Sequence, residues 1–274
     1  MLSQKSAQNF YVVHFIRSSM LSLISPAKTL DFESPDCWPR CDVLNFPQES
    51  QELIGLLKKK SVSEIQNMML VSENIAKLNV ERFNQWKLPF GPEARTALQA
   101  FKGDVYEGMD AQSLSLLEVK WLNEHLYIIS GLYGLLRPLQ AILPYRLEMS
   151  TKIPNKKGGD LYAFWGNKIT DLLNNTLTAD GIVLNLASQE YYKAIKSSLL
   201  KAIVVTPDFR ELKGGEYKVI SFYAKRARGL MMQYIAKNRI DHPEGILDFS
   251  LEGYKFNSNL SQAQKPVFTR DTPV

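Results

Sequence analysis

Met20-Leu-Ser-Leu-Ile-Ser-Pro-Ala-Lys-Thr29 is the stretch on which the reading of the whole chain turns. Leu21–Ile24 is a short apolar run that Ser25-Pro26 ends, the length and punctuation of a buried strand rather than a helix. Ser25 to Thr29 then set Lys28 and two hydroxyls at the end of that strand, where α/β proteins place ligand groups. The segment is not a P-loop, because the glycines and the Gly-Lys-Ser/Thr order are missing.

Outward from this strand, helices and strands alternate. Pro47–Lys60 reads as helical, Ser61-Val-Ser-Glu64 has capping-box spacing for a helix through Leu70, and Ser72 caps a third towards Trp86. Pro92 suits the first turn of a helix ending near Phe101, and Leu114–Leu126 reads as another. Tyr127–Ser130 is a strand. A helix is expected from Asp160 or Leu161 to Leu177, stopped by Gly181 before the strand Ile182–Leu186. Ala202–Thr206 and Tyr217–Tyr223 are strands, with a hairpin at Gly214-Gly215. A long helix follows from Ala224 to Arg239, and short extended pieces around Tyr254–Phe256 and Val267–Phe268 close the chain. The expected architecture is one α/β domain over residues 20–274, a mixed sheet with surrounding helices. Residues 1–19, with Lys5 and Arg17 and no acid, read as an extension, disordered or from a mis-assigned start.

The chain has 274 residues, 45% hydrophobic and 22% charged, enough to bury a sizeable core unaided. No run approaches the ~18 apolar residues of a membrane helix, so no membrane partner is expected. Cys37 and Cys41 lack the wide spacings of a disulfide framework, which points to the reducing cytoplasm. The histidines (14, 125 and 242) lie far apart and no Cys-x2-Cys pair exists, so neither a metal nor another cofactor is expected.

The net charge is only +5, yet residues 193–239 carry eleven Lys or Arg against three acids. That segment is +8 and the remainder of the chain −3, a concentration expected of a protein with a phosphate-rich partner. On the helix that follows Ala224, Lys225, Arg228 and Arg239 fall within about 60° of one another, away from the stripe of Ala227, Leu230, Met231, Tyr234 and Ile235. Such a row can follow a nucleic-acid backbone or simply be a solvated face.

Further segments carry polar residues that a core does not require. Phe101-Lys-Gly-Asp-Val-Tyr106 sets Lys102 beside Gly103 and Asp104. Pro144-Tyr-Arg-Leu-Glu-Met149 puts Arg146 and Glu148 on one side if extended, paired or facing a ligand. Asn185-Leu-Ala-Ser-Gln-Glu-Tyr191 offers Ser188 as an N-cap and Glu190 in the first turn. Gly131 and Gly134, in Ser130-Gly-Leu-Tyr-Gly-Leu-Leu-Arg137, suit a tight hairpin whose N–H groups hold a phosphate, with Arg137 adding charge. A cap, a turn or an internal salt bridge is the plain alternative for each.

Six blocks in order, 25–30, 101–106, 130–139, 144–149, 185–191 and 221–231, resemble the YaaA family of bacterial peroxide-stress resistance proteins. The resemblance covers nearly the whole chain from Met20 to about Tyr254. It implies a cytoplasmic protein that helps limit free intracellular iron and oxidative damage. It also implies binding of double-stranded DNA through a basic cleft, and a helix-hairpin-helix-like element, for which Gly131 to Arg137 is the matching place. Gln140 stands where the family often has an acid after Arg-Pro-Leu, which weakens any analogy to base-excision chemistry. The expected function is therefore DNA binding rather than catalysis, with Lys28, Lys102, Arg137, Arg146, Lys225, Arg226 and Arg228 as the basic lining. The alternative is an enzyme acting on a nucleotide or on a base within DNA, using Lys28 with Asp104, Glu148 or Glu190. A pocket with both signs of charge favours the enzyme, and an open groove lined only with cations favours the binder.

Overall fold

The computed structural model describes residues 18–35 and 37–272. Most of the N-terminal extension lies outside the described residues, but Ser18 and Ser19 already belong to the first strand, Ser18–Ile24. In that strand Met20, Leu21, Ser22, Leu23 and Ile24 are all buried. Burial on both faces explains why the strand is apolar apart from the small Ser22, because a central parallel strand has no solvent side. The strand pairs in parallel with Leu126–Ser130 on one side and with Leu177–Asn185 on the other. Ile203–Val205 extends the sheet in parallel, and Gly134–Leu136 closes the opposite edge antiparallel.

This order creates a switch point. After Ile24 the chain returns to the sheet on one side of the first strand, whereas after Asn185 it continues on the other. The connections leaving these two neighbours therefore diverge, and a crevice opens at their carboxyl ends, the usual ligand position in open α/β sheets.

A second sheet has the order Glu216–Lys218, Asp208–Lys213, Val267–Arg270, Lys255–Phe256. Its first two strands form the expected hairpin, with Lys213 opposite Glu216. Gly214 and Gly215 have φ of 64° and 82°, the two positive values a two-residue primed turn demands. Phe209, Phe249, Tyr254 and Phe268 pack ring against ring behind this sheet. The long helix Ser221–Asn238 reaches this cluster through Tyr234.

Four expectations need correction. The helix expected to start at Pro92 is replaced by a strand, Arg95–Thr96, and a single helical turn, Ala97–Ala100. Arg95 and Thr96 pair with Ile142 and Ala141, so tertiary pairing overrides the Pro signal. The helix expected over 160–177 is two, Leu161–Trp165 and Lys168–Thr176, broken at Gly166, whose φ is 52°. Gly181 does not stop a helix; it lies inside the strand Leu177–Asn185, whose register against Ser18–Ile24 is irregular there. Finally, Ser221–Tyr223 belong to the long helix and not to a strand, so that helix begins one turn earlier than the sequence suggests.

The capping signals at Ser61 and Ser72 are realised as read. The Ser61 hydroxyl accepts from the Glu64 N–H while the Glu64 carboxylate accepts from the Ser61 N–H. Ser72 caps Glu73–Gln85. No helix among the described residues is long and apolar enough to cross a membrane.

Candidate functional site

The crevice at the switch point is a cleft of about 410 Å³. Ser25 to Thr29 line it from the end of the first strand, and Leu186, Ser188, Glu190 and Tyr191 from the end of its neighbour. Lys102 to Tyr106 form a third wall, and Lys225 and Arg228 reach in from the long helix. Four cations predicted for the site, Lys28, Lys102, Lys225 and Arg228, thus converge, although they span two hundred residues of sequence.

Hydrogen bonds hold the walls together. The Ser188 N–H donates to the Ser25 hydroxyl at 2.8 Å, and the two hydroxyls lie 3.2 Å apart. Ser188 occupies the expected N-cap position, but its hydroxyl serves this inter-loop contact and not the helix. The buried Tyr106 hydroxyl donates to the Ser25 carbonyl at 3.0 Å. Burial pushes the phenols of Tyr106 and Tyr191 well above the ordinary tyrosine range, so both stay protonated. Sequence reasoning did not assign these two tyrosines a role. Their one signal was position, each closing a polar segment that ends at the cleft.

Glu190 is oriented by the Ser150 N–H and hydroxyl, which donate to one carboxylate oxygen at 3.1 and 2.7 Å. Asp104 opens the helix Asp104–Met109 and lines the cleft beside Lys102. Lys28 forms an ion pair with Glu148 at 2.9 Å, and the other Glu148 oxygen accepts from Arg146 at 2.9 and 3.2 Å. Arg146 and Glu148 do share a side, as their spacing predicts, but in a small adjoining hollow. The lining therefore carries both signs of charge.

Arg228 stands apart. It is half-buried, and its guanidinium makes no hydrogen bond or ion pair with the described residues. Burial pulls its pKa below the ordinary arginine value, an effect that the more distant Asp208 carboxylate partly offsets. A guanidinium partly withdrawn from water without a partner carries a desolvation cost, and an anion in the cleft relieves it.

Other predicted residues lie elsewhere. Arg226, two positions before Arg228, points away and pairs with Glu252, its Nε donating at 2.9 Å. Arg137 stacks on the Tyr127 ring at 3.9 Å and donates to the Glu124 carbonyl at 2.6 Å. Gly131 and Gly134 are buried in a β-hairpin between Leu126–Ser130 and Gly134–Leu136. The N–H groups of Leu132 and Tyr133 are taken by the Ser130 hydroxyl. The flanking elements are strands, so the expected helix-hairpin-helix arrangement is absent at this segment. Gln140 is structural as well, accepting from the Arg137 N–H at 2.7 Å and donating to the Val43 carbonyl at 2.6 Å.

Cys37 and Cys41 are both free thiols. Among the described residues no three His, Cys, Asp or Glu come together in a way that could hold a metal ion.

Comparison with known proteins agrees with the blocks that line this cleft. A UPF0246 protein of Aromatoleum aromaticum is 47% identical over 258 residues, covering 92% of this chain and 99% of that protein. Residues 20–260 match the family described as peroxide stress protein YaaA. A match of this extent, over the first strand, the cleft walls and the long helix alike, shows that the chain belongs to the peroxide stress protein YaaA family.

Proposed function

We propose that the protein binds DNA in the peroxide stress response, through the cleft at the switch point, with backbone phosphates on Arg228, Lys225, Lys102 and Lys28. The observation that carries this reading is the unpartnered, half-buried Arg228 guanidinium among three further cations. A planar guanidinium is suited to bidentate contact with phosphate. The cleft volume fits a single nucleotide and not a duplex, so a strand enters it locally while the duplex lies across its mouth. Binding of this kind, in the cytoplasm, would serve the limiting of free iron and oxidative damage that the family resemblance implies.

A second reading, an enzyme acting on a nucleotide or a base, is the one that a lining of both signs favours by the criterion drawn from the sequence, because the carboxylates of Asp104 and Glu190 stand among the cations. A grip on phosphate alone has no need of them, whereas proton transfer on a nucleotide or a base does. Lys28, already ion-paired with Glu148, then serves as a phosphate clamp.

The test is a salt series with duplex, bubble and single-stranded DNA. The double variant Lys225→Gln/Arg228→Gln removes two phosphate contacts, so the slope of log K against log salt should flatten by about 1.8 on duplex DNA. Unchanged affinity and slope for this variant would remove the cleft from DNA binding. Turnover of a nucleotide or base that is lost in Asp104→Asn would establish the second reading.

A further inference from the structure

We propose that Phe222 is a stacking platform for an unstacked nucleobase beside the cleft. This rests on the reading of the cleft as a DNA site and adds to it the contact that receives a base. Phe222 is 56% exposed, the one Phe, Tyr or Trp side chain among the described residues left mainly in water, and Val219 beside it is 55% exposed. It lies in the first turn of the helix Ser221–Asn238, three residues before Lys225. Residues three apart on a helix are neighbours with Cβ atoms about 5–6 Å apart. The ring therefore stands next to a cation that lines the cleft, and a phosphate held by Lys225 brings the adjoining base within its reach.

The platform is braced from below. The Phe222 ring meets Tyr223 edge-on, with centroids 5.5 Å apart. The Arg270 guanidinium lies 5.0 Å from the centre of the Tyr223 ring. Arg270 is itself buried and tied to Glu211 at 2.8 Å. A ring exposed for its own sake would be free to move, whereas this one rests on a chain of packed groups that ends in a buried ion pair. Exposed aromatics flanked by cations suit nucleic acid, because every base has a face to stack and every linkage a phosphate to neutralise. A protein partner is the competing occupant, and the variants separate the two.

The experiment uses the full chain and a DNA bubble carrying 2-aminopurine, whose fluorescence is quenched on stacking. Phe222→Ala should weaken binding about tenfold and abolish the fluorescence change, with the salt slope unaltered because no phosphate contact is lost. Phe222→Trp should retain both. Phe222→Leu, which keeps apolar area but loses the π face, should behave like the alanine variant. Wild-type affinity and quenching in Phe222→Ala or Phe222→Leu overturn the platform while leaving the cleft reading intact. A flattened salt slope in Phe222→Ala also overturns it, because the loss would then be one of phosphate contacts. Failure of the wild-type chain to bind any DNA at low salt overturns both.

Discussion

Gly229 is where the two helices that shape the cleft touch most closely, and its replacement by alanine gives a worked prediction. A Cβ there would lie 1.8 Å from the Val105 carbonyl oxygen and 2.7 Å from the Met109 nitrogen. The nearest distance a real Cβ tolerates is near 3.0 Å, so the helices must separate by about 1.2 Å. Both obstacles are backbone atoms and cannot rotate aside. Gly108 on the facing helix meets the Arg226 carbonyl at 2.2 Å in the same way, so the crossing is tight from both sides. Overpacking of this kind costs about 3 kcal/mol at the upper end of its usual range. Alanine restores about 1 kcal/mol through its better helix propensity. The net destabilisation is about 2 kcal/mol, which for a domain of this size lowers Tm by roughly 4–8 °C. Gly55, in the helix Pro47–Leu57, provides the control, because nothing lies within 4 Å of a Cβ there. Gly55→Ala should therefore raise Tm by roughly 2–4 °C from the propensity gain alone. Differential scanning calorimetry on the three proteins reads both signs. Separation of the helices also moves Asp104 and Lys225 apart across the cleft, so Gly229→Ala should weaken DNA binding as well. A Gly229→Ala protein as stable as the wild type would refute the helix crossing and with it the account of this cleft wall.

Two further outcomes are expected. The Asp31 carboxylate accepts from the Ser34 N–H, the Ser34 hydroxyl and the Glu33 N–H, with Arg95 beside it, and these hold its pKa well below the usual carboxylate range. A depressed pKa contributes stability that is present above the unfolded value, near 4, and is lost as pH falls below it. The Tm gap between wild type and Asp31→Asn should therefore be full at pH 6 and shrink steadily from pH 4 to pH 2; a gap constant with pH contradicts this assignment. Glu211→Gln leaves the buried Arg270 with only its longer contact to the Glu252 carboxylate, at 3.5 Å, and disturbs the Tyr254 hydroxyl that donates to Glu211, so unfolding free energy measured in urea should fall by about 3 kcal/mol, the low end for breaking a buried pair. Replacing both members of the pair with methionine should recover most of that loss, and a Glu211→Gln protein of wild-type stability would show that the pair is not the brace described.

The features legible in the sequence were those decided within a few residues. Ser61 and Ser72 are caps because the donor each hydroxyl satisfies lies three positions ahead. Gly214-Gly215 is a turn because two glycines in succession adopt the two positive φ values of a primed turn without strain. Leu21–Ile24 is a buried strand because its run is short, apolar but for Ser22, and ended by Ser25-Pro26, and the surplus of cations in 193–239 is a property of composition. The polar segments of the cleft were visible too, since Lys28, Lys102, Asp104 and Glu190 stand at strand ends and helix starts.

Tertiary structure decided which of these residues meet. Arg226 and Arg228 are nearly indistinguishable as letters, yet about 200° of helix rotation sends one to Glu252 and the other to the cleft. Arg137 carries the same charge but lies over Tyr127, because the hairpin before it is packed into the sheet. The pairing of Arg95–Thr96 with Ala141–Ile142 likewise depends on partners far along the chain. The caps at Ser61 and Ser72 and the turn at Gly214-Gly215 are settled within three or four residues, so the sequence alone determines them, whereas the Ser188 hydroxyl is drawn to Ser25 at the end of another strand. Burial, charge pairing and the convergence of four cations depend on contacts between segments up to two hundred residues apart, and only the folded chain decides those.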